Sequence, residues 1–232
     1  MPEQPVIVVS TGSANLASVF AGLRRLGATP QLCDRPAQIS SARHVVLPGV
    51  GAFGPAMERL SAQHYIAPLV ARLKAGRPTL CVCLGLQLLG EHSEETPGVT
   101  GLGLIPGGVQ RFPAHVRVPQ FGWNKLTAGL DCKLLHTGYA YFANSYRFVA
   151  PPPGWAVALA EHGGPFVAAC ERGAVLGCQF HPELSGPWGR ALLARWMATA
   201  DAPQSEPELP SAPARPSEPE RKRGATAGGS AC

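Results

Sequence analysis

The sequence lacks long hydrophobic runs: none approaches the length of a membrane span, about 18 residues. Residues 1–4 carry neither the basic nor the apolar part of a signal peptide. The seven cysteines are odd in number and lack paired spacing, which argues against a disulfide framework and for free thiols in a reducing compartment. We therefore expect a cytoplasmic protein with no membrane segment.

Charge is also scarce, since charged residues make up 15% of the chain. The net charge is +5, and residues 1–200 hold 16 Lys and Arg against 10 Asp and Glu, scattered singly. No nucleic-acid-binding motif accompanies them, so a nucleic-acid partner is not expected. Cys81 and Cys83 have no companion ligands at zinc spacing, so no metal site is predicted.

Composition divides the chain into two parts. Residues 1–200 are long enough for one α/β domain with a sizeable core. Residues 201–232 are rich in Ala, Pro, Ser and charge and contain a single Leu. Such a segment cannot bury a core, so we predict a disordered tail, either a solvated appendage or an interaction tail.

Within residues 1–200 the hydrophobic periodicity alternates between strand and helix. It predicts strands at 6–9, 31–33, 44–47, 80–82 and 174–180, and helices at 14–26, 65–74, 84–90 and 188–198. Short strands with Gly and Pro turns follow from about Val109. The β–α–β alternation indicates a parallel sheet flanked by helices, with functional residues at its carboxyl edge.

The stretch T-L-C-V-C-L-G-L-Q, residues 79–87, places Cys83 between an apolar strand and a helix, with Gly85 two residues on. A sharp strand-to-helix turn of this kind is a nucleophile elbow, which lifts one side chain above the sheet. A helix N-terminus also favours the ionised form of a thiol. The stretch alone leaves a second possibility open, that Cys83 is a small buried hydrophobic residue.

A second motif, Q-F-H-P-E at residues 179–183, places His181 and Glu183 on either side of a Pro, directly after an apolar strand. A catalytic thiolate needs a base within hydrogen-bond reach, and the base needs a third group to fix its tautomer. His181 and Glu183 can supply both functions. The two motifs together predict a Cys-His-Glu triad.

These motifs resemble the class I glutamine amidotransferases, whose pattern G-x-C-x-G-x-Q followed by H-P-E carries such a triad. Further segments narrow the resemblance to the glutaminase subunits of imidazole glycerol phosphate synthase, from histidine biosynthesis. They are T-G-S-A-N (11–15), V-V-L-P-G-V-G-A-F-G (45–54), G-L-G-L-I-P-G (101–107), F-G-W-N (121–124) and A-Y-F-A-N-S-Y (140–146). The resemblance covers residues 5 to about 198.

The resemblance implies an α/β fold of the class I glutamine amidotransferase type, with a central, mostly parallel sheet flanked by helices and a nucleophile elbow. It implies that Cys83 attacks glutamine, that His181 acts as base and acid, and that Glu183 orients His181. Glutamine would be hydrolysed to glutamate and ammonia without a cofactor. The ammonia would pass to a (β/α)₈ cyclase in a heterodimer, which forms imidazole glycerol phosphate and an aminoimidazole carboxamide ribotide.

The resemblance also assigns the surroundings of the triad. The oxyanion hole would combine the N–H of Leu84 with an N–H of the loop at Val50 and Gly51. In this family the loop can adopt a resting conformation, and the partner's substrate promotes the competent one. The partner would meet Trp123 and Tyr139. Judged from the residues alone, these two aromatic side chains are expected in the core.

The backbone end of the glutamine substrate would be held by Gln87, Glu95, Ser145 and Tyr146. In this assignment Glu95 pairs with the α-ammonium group, and the backbone of Ser145 and Tyr146 cradles the substrate. Without the resemblance, Glu94 and Glu95 indicate an ordinary solvated helix end.

Four positions depart from the family's pattern. Cys81 stands where Gly is usual, Gln120 and Asn144 stand where His is usual, and Leu184 replaces a basic residue. None belongs to the triad, so our hypothesis is that they alter docking or coupling to the partner rather than glutamine hydrolysis. Two alternatives to the main interpretation stay open: a paralogous subunit that serves another ammonia-using barrel synthase, for example in amidated sugar biosynthesis, and a catalytically silent scaffold.

Overall fold

The computed structural model describes residues 4–12 and 15–199. The predicted disordered tail at 201–232 and residues 13 and 14 of the T-G-S-A-N segment lie outside this range, and the domain boundary at 200 stays a prediction. The strands are Gln4–Val8 (β1), Ala28–Leu32 (β2), His44–Leu47 (β3), Thr79–Val82 (β4), Gly90–Ser93 (β5), Ile105–Arg111 (β6), Gln120–Ala128 (β7), Gly138–Asn144 (β8), Tyr146–Arg147 (β9), Ala156–Glu161 (β10), Pro165–Arg172 (β11) and Val175–Cys178 (β12). The helices are Leu16–Arg24 (α1), Pro36–Ser41 (α2), Phe53–Ala62 (α3), Ile66–Lys74 (α4), Leu84–Gln87 (α5) and Gly186–Met197 (α6), with a 3₁₀ turn at Pro182–Leu184.

A nine-stranded sheet organises the molecule, in the order β2-β1-β3-β4-β12-β11-β10-β7-β8. The strands from β2 to β12 pair in parallel, and those from β12 to β8 pair antiparallel. The predicted parallel core with flanking helices is therefore confirmed. The antiparallel half corresponds to the region of short strands and Gly/Pro turns.

Helices cover both faces of the sheet and bury one apolar cluster on each. One cluster joins the sheet to α1 and α6 and includes Leu23 and Trp196. The other joins it to α2, α3 and α4 and includes Ile39, Leu60 and Leu69. No helix among the described residues combines the length and apolarity needed to cross a bilayer.

The register of the central strands brings the two sequence motifs together. In the parallel pair β4–β12, Val82 lies opposite Cys178. The residues that follow, Cys83 on one strand and 179–181 on the other, therefore leave the same carboxyl edge side by side. Adjacent parallel strands thus unite residues almost a hundred positions apart in sequence.

Several element boundaries differ from the sequence predictions. The helix predicted at 84–90 is wrong beyond Gln87, because the carbonyls of residues 88–90 accept hydrogen bonds from the N–H groups of residues 102–105. Helix α1 begins at Leu16 rather than at residue 14, since Asn15 caps it by accepting from the N–H of Ser18. Helices α2 and α3 were not predicted.

Candidate active site

Cys83 occupies a sharp turn between β4 and α5. Its backbone has φ 52° and ψ −108°, a left-handed conformation that non-glycine residues rarely adopt and that is typical of functional sites. Its N–H donates to the carbonyl of Cys178 at 2.7 Å, which ties the turn to β12. The geometry is that of the elbow predicted from the sequence.

Two glycines allow the backbone to approach the elbow closely. A Cβ on Gly85 would lie 1.9 Å from the carbonyl oxygen of Leu47 in β3. A Cβ on Gly49 would lie 2.6 Å from Cβ of Leu84. The Gly two residues after Cys83 is therefore required for α5 to pack against the neighbouring strand.

His181 and Glu183 form a hydrogen-bonded pair at the end of β12. Nδ1 of His181 lies 2.9 Å from Oε1 of Glu183, and both side chains are buried. The His181 N–H donates to the carbonyl of Tyr141 at 2.9 Å, and its carbonyl accepts from Oγ of Ser185 at 2.6 Å. The ring also forms a hydrogen bond with the Cys83 side chain, so the three predicted triad residues are in contact.

The surroundings of His181 favour its charged form. Burial alone lowers the pKa of His181, but hydrogen bonds to Cys83 and Glu183 and the charges of both groups outweigh it and raise the pKa from 6.5 to about 10. The His181 ring is therefore an imidazolium in the resting site, placed beside the sulfur of Cys83.

We expect NMR of the His181 ring nitrogens to show an imidazolium at neutral pH that deprotonates only as the pH approaches about 10. Since the folded pKa is raised, the stabilisation from the charged ring is complete below pH 6.5 and is lost as pH rises through about 10. Glu183→Gln removes one charge partner and should lower the midpoint. An unshifted midpoint of 6.5 in the unmodified protein would contradict this interpretation.

A cavity of about 140 Å³ opens beside Cys83. It brings together Cys83 with all seven of the residues predicted around the substrate, namely Val50, Gly51, Leu84, Gln87, Glu95, Ser145 and Tyr146. Ala143 and Asn144 complete its lining and were not predicted to do so. No group of His, Cys, Asp and Glu within the described residues is arranged to hold a metal ion.

Glu95 belongs to a turn after β5, so the interpretation as a solvated helix end is wrong. Its Oε2 accepts a hydrogen bond from the N–H of Phe53 at 2.7 Å, at the start of α3. The neighbouring Glu94 accepts from the N–H of Arg111 at 2.8 Å. Glu95 thus lines the cavity and also anchors the start of α3. This placement depends on a contact with Phe53, 42 residues away in sequence, and local sequence patterns do not predict it.

The loop before α3 closes over one predicted oxyanion donor. The N–H of Leu84 donates to the carbonyl of Gly49 at 3.2 Å. Gly51, with φ 107°, adopts a backbone conformation open mainly to glycine. In this structure the Leu84 N–H is therefore engaged within the protein rather than directed at an empty oxyanion position.

Trp123 and Tyr139 project from the outer face of β7 and β8. They are 58% and 60% exposed, so the core position expected from the residues alone is wrong, while the partner-facing position implied by the resemblance stays a prediction. Phe121, which sequence reasoning missed, is 69% exposed on the same face. Phe121 and Trp123 both pack edge-on against Tyr141, at 5.7 and 6.1 Å between ring centroids. The alternation of β7 was the available signal for Phe121, since residues two apart share a face.

The positions that depart from the family's pattern are accommodated differently. Cys81 is fully buried in the core, opposite Gly177 and Leu47 in the neighbouring strands, and burial raises its pKa to about 12. Gln120 and Asn144 are direct cross-strand partners, both buried. Leu184 is exposed, beside the triad.

Gln179 lies in the Q-F-H-P-E motif at the site, and no role for it was predicted from the sequence. Its side chain is completely buried. Its Nε2 lies 3.6 Å from Sγ of Cys83, and its Oε1 accepts from Nε2 of Gln87 at 3.0 Å. Its position two residues before His181 was the only signal for such a contact.

Comparisons with known proteins agree with this geometry. The family model for glutamine amidotransferase class-I matches residues 7–200. The imidazole glycerol phosphate synthase subunit HisH of Desulfitobacterium hafniense is 40% identical over 190 residues, covering 80% of this chain and 90% of that protein. The subunit of the same name from Deinococcus radiodurans is 42% identical over 197 residues, covering 82% and 92%. Imidazole glycerol phosphate synthase hisHF, chloroplastic, of Arabidopsis thaliana is 38% identical over 202 residues, covering 84% of this chain and 34% of that longer protein.

Two solved structures show the same fold at low sequence identity. A glutamine amidotransferase crystal structure has a TM-score of 0.66 at 20% identity, covering 82% of this chain and 96% of that one. PurLQS from Thermotoga maritima has a TM-score of 0.66 at 16% identity, covering 84% and 98%. The fold, the matched family model and the identity to the curated subunits lead to one conclusion: the chain belongs to the class I glutamine amidotransferases and, within them, to the HisH subunits of imidazole glycerol phosphate synthase.

Proposed function

We propose that this chain hydrolyses glutamine to glutamate and ammonia with Cys83, His181 and Glu183, as the glutaminase subunit of imidazole glycerol phosphate synthase. The observation that carries the proposal is the contact of the Cys83 elbow with the buried His181–Glu183 pair beside a cavity of suitable size. The names of the curated relatives support the pathway, histidine biosynthesis.

The reaction begins with attack of the Cys83 thiolate on the carboxamide carbon of glutamine. His181, protonated in the resting site, donates its proton to the departing nitrogen, so ammonia leaves and a glutamyl thioester remains on Cys83. Neutral His181 then takes a proton from water as the water attacks the thioester. Glutamate leaves, and the thiolate and imidazolium are restored, while Glu183 keeps the ring oriented throughout.

The oxyanion formed in both steps needs backbone donors near Leu84 and Val50. Since the Leu84 N–H is bonded to the Gly49 carbonyl, the loop at residues 49–51 must turn before this donor can serve the substrate. Loss of one such donor costs roughly 3 kcal/mol of barrier. With the loop closed, we therefore expect slow glutamine hydrolysis until the partner engages.

Substrate glutamine would lie with its backbone end toward the far side of the cavity. Nε2 of Gln87 donates to the carbonyl of Tyr146, which leaves the Gln87 carbonyl oxygen for the substrate. Glu95 supplies a carboxylate for the α-ammonium group, and Ser145 and Tyr146 supply backbone. This set of groups recognises an amino acid rather than a simple amide.

The partner is a (β/α)₈ cyclase that uses the ammonia to form imidazole glycerol phosphate and an aminoimidazole carboxamide ribotide, in a cytoplasmic heterodimer. Exposed aromatic side chains are typical of interfaces, and Phe121, Trp123 and Tyr139 provide such a face. Tyr141, which packs against Phe121 and Trp123, joins this face to the triad, because its carbonyl accepts from the N–H of His181. The six cysteines of the described residues are all unpaired, which supports a reducing compartment. Only 34% of the Arabidopsis protein is covered by the match, which supports a second functional unit working with the amidotransferase unit.

The direct test is glutamate release from glutamine by the purified chain, alone and with its cyclase partner and the partner's ribonucleotide substrate. We expect slow release alone and strong stimulation in the complete mixture. Absence of glutamate in the complete mixture would refute the enzymatic proposal and favour the silent scaffold.

Leu184→Lys tests the hypothesis that the departures alter docking. Leu184 is exposed, and a Cβ on Gly186, two residues further on, would lie 3.6 Å from the ring of Trp123. A charge at position 184 should therefore weaken binding to the chain's own partner by about threefold to fivefold, the size of a surface charge effect. Gln120→His and Asn144→His change a buried pair and should act on coupling instead. Fluorescence titration measures the affinity for the partner, and glutamate release measures the stimulation by the partner. If both are unchanged in all three variants, the hypothesis is wrong.

A further inference from the structure

Gln179 links the nucleophile to the substrate cavity through its side-chain amide. The amide lies between Sγ of Cys83, at 3.6 Å from Nε2, and Nε2 of Gln87, at 3.0 Å from Oε1. The backbone N–H of Gln179 donates to the carbonyl of Ala168 at 2.8 Å, which fixes the residue at the end of the sheet. None of the proposed steps of glutamine hydrolysis uses this amide.

The orientation of the Gln179 amide follows from its neighbours. The carbonyl of Tyr146 can only accept, so the group of Gln87 that faces it at 3.1 Å must be the NH₂. The second proton of that NH₂ points to Gln179, so the group of Gln179 that accepts it must be the amide oxygen. The Gln179 NH₂ is therefore directed at the sulfur of Cys83, and no other orientation of the two amides satisfies all three contacts.

We propose that Gln179 donates a hydrogen bond to the Cys83 thiolate and, with the other end of the same amide, holds Gln87 in position for the substrate. The inference rests on the proposed function, since it assigns a part in the same reaction. A thiolate accepts such a bond more strongly than a thiol does, so the contact favours the nucleophilic form.

The amide supplies something that His181 does not. The His181 proton leaves with ammonia during the first half of the reaction, whereas an amide does not titrate near neutral pH and keeps its donor. When the thioester breaks, the sulfur leaves as a thiolate beside the reprotonated His181, and Gln179 has kept its donor throughout and is placed to stabilise the sulfur as well. One buried residue thereby serves the nucleophile at the start of the cycle and the leaving group at its end.

The experiment measures the rate of Cys83 alkylation by iodoacetamide in the full chain, from about pH 4 to about pH 10, by mass spectrometry of the peptide that contains Cys83. Gln179→Met preserves length and apolar volume but removes the donor. Gln120→Met is the matched control, because it makes the same change at another buried glutamine with no contact to the sulfur. Gln179→Glu is the second variant and places a carboxylate beside the thiolate.

We expect the midpoint of the alkylation profile to move upward by roughly one pH unit in Gln179→Met, the usual size for a hydrogen bond to a charged group. It should move further in Gln179→Glu and stay in place in Gln120→Met. An unmoved midpoint in a folded Gln179→Met protein would overturn the inference while leaving the triad intact. If the alkylation midpoint of His181→Gln equals that of the unmodified chain, the result would instead count against the proposed function.

A measurement on the unmodified chain covers the case in which the variants fail to fold. The side-chain NH₂ resonances of Gln179 should shift with the same midpoint as the alkylation rate, because the donor follows the charge on the sulfur. Resonances that stay constant across that range would overturn the inference as well.

Discussion

Cys83→Ala is expected to reduce glutamine-dependent glutamate release to background, a loss of at least about 10⁴-fold. The other central cysteines cannot substitute for it: Cys81 and Cys170 are fully buried in the core, and burial raises the pKa of both thiols. The measurement is glutamate release by the complete mixture of chain, cyclase partner and ribonucleotide substrate.

Two controls separate lost chemistry from lost structure. Cys81→Ala removes a buried thiol two residues away without touching the cavity and should retain activity within about threefold. The Cys83→Ala complex supplied with an ammonium salt should still make the partner's product, since only the ammonia source has been lost. Sustained glutamine hydrolysis by Cys83→Ala would show that the assigned nucleophile is wrong.

Gly85→Ala is expected to destabilise the chain by about 3 kcal/mol or more, at the upper end of the range for overpacked cores. The added Cβ would lie 1.9 Å from the Leu47 carbonyl oxygen, and neither backbone can move without shifting β3 or the elbow. Because the Leu84 N–H lies next to the same contact, glutamate release should fall with stability. Urea unfolding measures the first effect.

Gly27→Ala provides the comparison for Gly85→Ala. Gly27 has φ 78° and no atom within 4 Å of an added Cβ, so its substitution carries a backbone cost of about 1 kcal/mol without a clash. The Gly85 variant should be clearly the less stable of the two. Equal midpoints of unfolding would show that close approach at the elbow is not what Gly85 provides.

Local patterns were sufficient for much of the fold and for the triad positions. The strand at His44–Leu47 and the helix ending at Lys74 were predicted from apolar periodicity, and the elbow from a Cys between strand and helix. The meeting of Cys83 with His181 was predicted from the base that a thiolate nucleophile needs, and the parallel pairing of β4 with β12 is what brings the two residues together.

Features that depend on distant partners were not predictable from local sequence. The helix after Cys83 stops after one turn because the carbonyls of residues 88–90 accept hydrogen bonds from residues 102–105. The exposure of Trp123 depends on which face of β7 meets the sheet's core, and the pairing of Gln120 with Asn144 depends on the register of β7 and β8. These outcomes are decided by tertiary pairing, which overrides local propensity.

Acid quenching of the complete mixture during turnover, followed by mass spectrometry of the Cys83 peptide, tests the central claim most directly. A glutamyl thioester on Cys83 should be found, should be released by hydroxylamine, and should be absent from the Cys83→Ala complex. Glutamate accumulating at full rate with the glutamyl group attached to a different residue would contradict the account.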